Sequence, residues 1–276
     1  MYSVAILPIF VGTAMAKYEF QVFDPAVLVV FVAGAILLLA WENLCNDLFD
    51  ADTGVDIHKY HSIVNLTGNK SLIWSIANLC LLGGWACIGW ICWQEHSPIV
   101  AMIILICCVL GYVYQGPPWR LGYQGWGELL CLISFSLGVV ASSYSQFPQF
   151  SWRMIPSAVG VGITISLVLF CSHFHQVEDD LNAGKLSPVV RLGTKRSAQL
   201  VPIICLTAYA IILGSSALGF APRHTWLVLT SLPWAIYLSV WLNQHHDRPE
   251  VIKDSKFIAL GWQFVFGLGL TAGFWL

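Results

Sequence analysis

The chain has 276 residues, of which 13 are Lys or Arg and 15 are Asp or Glu, so charge makes up 10% against about 25% in a soluble domain. Hydrophobic residues make up 57%, and mean hydropathy is +0.72, which is more apolar surface than a soluble fold of this length can hide. These figures exclude an ordinary soluble enzyme, a disordered chain and a nucleic-acid binder with a basic face, and leave a multi-pass protein of the lipid bilayer.

A spanning helix needs about 20 mostly apolar residues. Nine such runs follow one another, at about 1–16, 27–45, 71–93, 98–115, 127–146, 155–175, 198–217, 225–243 and 257–275. They predict an all-α integral membrane protein: nine transmembrane helices in a bundle around a central cavity, as a single domain over 1–276. The first run is short. Its 16 residues rise about 24 Å, below the roughly 30 Å hydrocarbon core. It lacks the charged leader and cleavage site of a signal peptide, so it reads as the end of a longer first helix.

Nine spans put alternate loops on opposite sides. The loops at 46–70, 116–126, 176–197 and 244–256 carry Lys59, Lys70, Arg120, Lys185, Arg191, Lys195, Arg196, Arg248, Lys253 and Lys256. The other side has Lys17, Arg153 and Arg223. The excess predicts that the first side is cytoplasmic. The nine cysteines form no CxxC pair, so neither a zinc site nor a disulfide frame is predicted. His58, His61, His173 and His175 likewise lack a zinc spacing.

After span two comes Glu42-Asn-Leu-Cys-Asn46-Asp47-Leu-Phe-Asp50-Ala-Asp52-Thr-Gly-Val-Asp56. If the span continues as a helix, Glu42, Asn46 and Asp50 share one face at i, i+4 and i+8. Clustered aspartates repel one another and need cations, and hard oxygen ligands suit Mg²⁺ shared with substrate phosphates. Glu42 and Asn46 lie within or near the apolar zone, where polar groups are costly and mark function.

After span six comes His173-Phe-His175-Gln176-Val-Glu178-Asp179-Asp180. By the topology it faces the same side, so the two acidic clusters can hold one metal–diphosphate unit between them. Lys59, Lys70, Lys185 and Arg191 follow the acids and can neutralise a departing diphosphate. Between spans four and five, Tyr112, Tyr114, Trp119, Tyr123 and Trp126 flank a Gly/Pro turn. Rings there can line an isoprenoid pocket and stabilise an allylic cation. Arg120 is a candidate partner for an acidic aromatic substrate, and Glu128 a candidate anchor for this loop.

At these residues the chain resembles the UbiA-type superfamily of intramembrane aromatic prenyltransferases, across essentially all nine spans. Asn46-Asp47-x-x-Asp50 is similar to the start of the family's first Asp-rich motif, with the third acid displaced from Gly54 to Asp56. That form, with Asn65-Leu-Thr-Gly68-Asn69-Lys70, Gly122-Tyr123-Gln124-Gly125-Trp126-Gly127-Glu128 and Gly184-Lys185-Leu-Ser-Pro188-Val-Val-Arg191, resembles the branch acting on 1,4-dihydroxy-2-naphthoate. The second motif is most similar to phytyltransferases of cyanobacterial and plastid type. It departs from the family's Asp-x-x-x-Asp by carrying Gln176 at the first position, and Glu178 or Asp179 is the candidate for the missing charge.

The resemblance implies transfer of a phytyl group from its diphosphate to 1,4-dihydroxy-2-naphthoate, with loss of CO₂ and diphosphate. It implies Mg²⁺ as cofactor, held by Asp47, Asp50, Asp56, Glu178, Asp179 and Asp180, with Asn46, Asp50 and Asp180 central to catalysis. Lys59, Lys70, Lys185 and Arg191 are the expected diphosphate contacts. Glu42, Tyr112, Tyr114, Arg120, Tyr123, His173, His175 and Gln176 are the expected substrate pocket. The expected location is a plasma or thylakoid membrane, with the site on the cytoplasmic face. A longer polyprenyl donor, or homogentisate or 4-hydroxybenzoate as acceptor, stays open within the family. A secondary transporter fits less well, because its acids belong near the bilayer midplane. A lipid-phosphate transferase of the CDP-alcohol type would carry an Asp-Gly…Ala-Arg…Gly…Asp pattern that is absent.

Overall fold

The computed structural model describes residues 2–53 and 63–276. In chain order the elements are α1 (Ser3–Phe20), α2 (Pro25–Thr53), α3 (Ile63–Thr67), α4 (Lys70–Glu95), α5 (Ile99–Gln115), α6 (Gly127–Gln146), α7 (Met154–Ser172), α8 (Val177–Asn182), α9 (Pro188–Leu192) and α10 (Thr194–Ala217). A 3₁₀ helix (Arg223–Ser231), α11 (Leu232–His245), α12 (Pro249–Ile252) and α13 (Ser255–Trp275) follow. Among the described residues, eight stretches are long and apolar enough to cross a membrane, and α5 is a shorter apolar helix. Together they fill the nine predicted places.

The boundaries differ in ways that matter. The first helix runs on to Phe20, giving 18 residues, about 27 Å and close to bilayer thickness. Lys17 in its last turn lies 3.5 Å over the Trp275 ring, so its charge is accommodated at the helix end. The second helix continues through the first acidic segment to Thr53. The sixth span stops at Ser172, which leaves His173 and His175 outside the long helix. The predicted span 225–243 is two elements, the 3₁₀ helix and α11. Pro233 in the first turn of α11 has no N–H to donate and its ring crowds the carbonyl four residues earlier, which suits a helix start there.

The helix α1 packs on α6, α13 and α2 and separates two clusters of buried side chains. Close approach to α6 depends on Gly12, where a Cβ would meet Ser142 Cβ at 2.8 Å and Ser143 N at 2.9 Å; small residues permit such crossings in lipid. Ser142 Oγ donates to Ile9 O at 2.7 Å across this seam. On one side, α2, α4 and α5 enclose a small cluster around Phe31, Ile88 and Ile104. On the other, α7, α10, the 3₁₀ helix and α13 form the large one around Trp262, Phe266 and Tyr209. Three of its buried polar groups are joined: Trp262 Nε1 donates to Tyr209 Oη at 2.9 Å, and Tyr209 Oη lies 2.6 Å from Ser231 Oγ.

Candidate active site

The continuation of α2 places Glu42, Asn46 and Asp50 on one helical face. Asp50 is buried. Its Oδ1 accepts from Gln115 Nε2 at the end of α5 and from Tyr123 Oη at 3.0 Å. Gln115 has no role predicted from sequence. The signal that could have found it is a polar side chain closing an apolar span, where burial demands a partner. Asn46 and Asp47 are half-buried on α2, and Asp47 Oδ2 accepts from Ile63 N at 3.2 Å. Asp56, Lys59 and His58 lie outside the described residues.

The second acid sits on the short α8, after a non-helical step at residues 173–176. Gln176 caps α8, and its carbonyl accepts from Asp180 N at 2.8 Å. Asp180 is fully buried, with Oδ2 3.0 Å from His173 Nδ1 and Oδ1 3.6 Å from Lys185 Nζ. Burial by itself raises its pKa. The His173 hydrogen bond and the Lys185 charge outweigh that and hold the carboxyl below its ordinary value. Glu178 and Asp179 are exposed. The candidate charge for the missing acid is therefore not brought into the buried cluster, because the first turn of α8 turns these two side chains to the surface. His175 is half-buried and its pKa is lowered, first by burial and then by Lys256 and His173.

The segment 116–126 joins the two acids. Tyr123 donates to Asp50, and its ring lies 5.8 Å from Lys185 Nζ. Its carbonyl accepts from Leu186 N at 2.8 Å. Arg191, read as a diphosphate contact, donates Nε to Leu186 O at 3.1 Å and Nη2 to Gln124 O at 2.7 Å. These bonds fasten the same seam. Lys70 is exposed and pairs with Asp52 at 2.6 Å. Tyr114 fills the space beneath the loop. A Cβ on Gly122 or Gly127 would meet its ring at 2.7 or 2.6 Å, so glycine at both positions lets the ring in. Asp50, Glu128 and Asp180 are all within electrostatic reach of Tyr114. Tyr112 packs edge-on against Phe49 at 5.7 Å and donates to Pro117 O at 3.1 Å. Arg120, half-buried, has φ 43°.

A partly open apolar cavity lies in the bundle between α1, α2, α4, α5 and α6. Phe31, Leu38, Trp41, Ile104 and Phe135 line it, and Glu42 stands on its wall. The Glu42 carboxyl lies against α5, where a Cβ on Gly111 would sit 2.6 Å from Oε1.

The pattern of the UbiA prenyltransferase family matches residues 5–265. The chain belongs to that family. This UbiA-family protein is therefore an integral membrane prenyltransferase. It is 46% identical to the 2-carboxy-1,4-naphthoquinone phytyltransferase of Synechocystis over 275 residues, covering 99% of this chain and 90% of the relative. It is 37% identical to the chloroplastic enzyme of that name from Arabidopsis thaliana, covering 99% and 74%. A 1,4-dihydroxy-2-naphthoate octaprenyltransferase of Haemophilus influenzae is 27% identical, covering 98% and 92%. A UbiA homologue from Archaeoglobus fulgidus, solved with GPP and Mg²⁺, shares the fold at 16% identity with TM-score 0.67, covering 98% and 96%.

Among the described residues, no three His, Cys, Asp or Glu side chains form a cage for a metal. The donors are instead hard carboxylate oxygens on two separate elements. One of them, Asp180 Oδ1, is buried and accepts no hydrogen bond among the described residues. That set fits a cation such as Mg²⁺, which keeps waters and takes one or two carboxylates together with substrate phosphates.

Proposed function

We propose that this prenyltransferase moves a phytyl group from phytyl diphosphate to 1,4-dihydroxy-2-naphthoate, releasing diphosphate and CO₂ on the route to phylloquinone. The carrying observation is a pair of buried acids, Asp50 and Asp180, on separate elements joined through Tyr123 and Lys185, with Asp50 two turns along α2 from Glu42, which lines an apolar cavity. The 46% identity to a phytyltransferase of the naphthoquinone acceptor supports the choice of donor and ring.

Asn46, Asp47 and Asp50 on α2 and Asp180 on α8 are the residues that would hold Mg²⁺. When bound, Mg²⁺ neutralises the diphosphate oxygens and stabilises the charge that develops as they leave. Lys185 lies beside Asp180 and meets the same charge. Gln115 and Tyr123 fix the Asp50 carboxylate, which limits its reorientation during the reaction. The phytyl chain enters the apolar cavity lined by Phe31, Leu38 and Phe135, whose apolar walls also keep water from the allylic cation. Tyr112, Tyr114 and Tyr123 offer ring faces to that cation.

The acceptor reacts as the dihydroxy form, because an electron-rich ring is needed to attack a cation. The carbon–carbon bond forms at the carboxylate-bearing carbon as the carbon–oxygen bond to diphosphate breaks. Departure of CO₂ then restores aromaticity without abstraction of a ring proton. Arg120 is the proposed partner of the acceptor carboxylate. The ten basic residues on the loops of one side, against three on the other, support a cytoplasmic-facing site in a plasma or thylakoid membrane.

The deciding experiment supplies 1,4-dihydroxy-2-naphthoate, labelled at its carboxyl, with phytyl and with longer prenyl diphosphates. Mg²⁺-dependent release of labelled CO₂ with the phytyl donor is the expected result. Preference for an octaprenyl donor, or turnover of homogentisate instead, would replace this reading.

A further inference from the structure

Asp180 is the one buried acid of its segment, since Gln176 is neutral and Glu178 and Asp179 are exposed. A second carboxylate reaches the cluster from elsewhere. Glu128 opens α6, 52 residues earlier in the chain. Both of its oxygens are buried without a hydrogen-bond partner among the described residues, and Oε1 lies 3.7 Å from His173 Nε2. The other ring nitrogen of His173 is 3.0 Å from Asp180 Oδ2. One buried imidazole thus stands between two carboxyl groups, on a line from α6 to α8.

This arrangement dictates where the imidazole proton sits. With Nδ1 unprotonated, a nitrogen lone pair would face the Asp180 carboxylate. With Nδ1 protonated, the ring donates to Oδ2, and Nε2 meets Glu128 either as N–H facing a carboxylate or as a lone pair facing a carboxylic acid. A carboxyl behind the ring therefore accommodates either state with Nδ1–H aimed at Asp180. Oδ2 is then engaged by His173, and Oδ1, 3.6 Å from Lys185 Nζ but accepting no hydrogen bond among the described residues, is the oxygen open to a cation.

We infer that Glu128 and His173 are positioning residues that orient the Asp180 carboxylate for metal binding. This role rests on the reading of Asp180 as a metal–diphosphate ligand. Removing such a supporting partner typically weakens metal affinity about 10- to 100-fold. The effect travels through Asp180 and not through the acceptor, so the acceptor's KM is unaffected.

The test measures binding of Mn²⁺, with inorganic diphosphate and no turnover, by electron paramagnetic resonance on the purified full chain in detergent. Alongside it, the KM of each substrate and the Mg²⁺ needed for half-maximal rate are determined. His173→Leu should weaken Mn²⁺ binding about tenfold or more, and the isosteric Glu128→Gln severalfold. His173→Asn, whose amide can replace Nδ1–H, should recover most of the loss, and in that background Glu128→Gln should add little. Wild-type Mn²⁺ binding together with unchanged binding in His173→Leu and Glu128→Gln would overturn the inference alone. So would a rise confined to the acceptor's KM, which would make His173 an acceptor contact. A wild type that binds no Mn²⁺ with diphosphate would overturn both the inference and the metal reading beneath it. A purely architectural role would lower the thermal midpoint of Glu128→Gln and leave its Mn²⁺ affinity unchanged, which also counts against the inference.

Discussion

The helices beside Asp50 bury a smaller share of their apolar residues inside the protein than α7 and α13 beside Asp180. The helix carrying Asp50, α2, has 17% of its most apolar window buried, and its neighbour α4 has 22%. In the other half, α7 reaches 72%, and the span ending in α13 reaches 50%. The half carrying Asp50, called the loose half below, contains the apolar cavity, and the other, the dense half, contains the large aromatic core. Among the partners described, Asp50 accepts from Gln115 and Tyr123, and Asp180 meets an imidazole and an ammonium. The proposed reaction, with a long apolar donor and a metal–diphosphate head, would use one side with room and one side without.

Alanine at either acid tests this division most severely. Asp50→Ala and Asp180→Ala should each lower Mg²⁺-dependent prenyl transfer at least about a hundredfold, measured per molecule of inserted protein. Only Asp180→Ala should also unfold easily. It strands His173 and Lys185 in a buried site, a loss of about 3–5 kcal/mol that thermal unfolding in detergent would report. Near-normal turnover in both variants would remove the proposed site, and equal instability would remove the distinction between the halves.

Core truncations come next. Trp262→Ala, in the dense half, should cost about 3–5 kcal/mol. Phe31 is equally buried but lines the cavity. Its replacement by alanine should fall at or below the lower end of that range, because its neighbours are already absent on one side, and should raise the KM of the phytyl donor. If Phe31→Ala proves as costly as Trp262→Ala, the loose half is better packed than its cavity implies.

Narrowing the cavity should change specificity more than stability. A Cβ at Gly138 would have its nearest neighbour, Pro8 Cβ, at 4.0 Å, so Gly138→Val fits while intruding on the lining. The phytyl donor should lose about 10-fold or more in kcat/KM, with a ten-carbon donor affected less. An equal loss for both donors would separate the chain pocket from this cavity.

Two smaller effects follow from the dense half. Because the folded pKa of Asp180 is lowered, its contribution to stability is present above the unfolded value near 3.9 and is lost as pH falls through the folded value. The gap in thermal midpoint between wild type and Asp180→Asn should therefore be constant around neutrality and shrink below about pH 4. Last, Glu178→Ala and Asp179→Ala should each change turnover less than about threefold, within the ±0.5 kcal/mol usual for surface sites. A large loss in either would bring that acid back into the site.

Part of the site is legible in local spacing. The i, i+4, i+8 placement of Glu42, Asn46 and Asp50 needs only that α2 continue past the apolar run, and it continues to Thr53. The eighth span is legible in length but not in type, since a 3₁₀ helix makes up its first part and α11 the rest. The roles of Gln115 and Glu128 are not legible, since each meets its partner from a distant part of the chain. Arg191 reads as a free cation in one dimension, yet its donors go to the carbonyls of Leu186 and Gln124.

Composition and spacing determined the membrane class, the places of nine apolar helices and the two acidic segments, because hydropathy and helical period act between near neighbours. Charge is scarce throughout the chain, and residues 46–70 and 176–196 hold six and seven of the charged side chains. The tertiary structure decided which of those charges are buried together. It turned Asp180 inward and its two acidic neighbours outward, joined Asp50 to Lys185 through the Tyr123 seam, and set His173 between Glu128 and Asp180. Partners so far apart in sequence are chosen by the packing of whole helices, and no local rule of the chain encodes that choice.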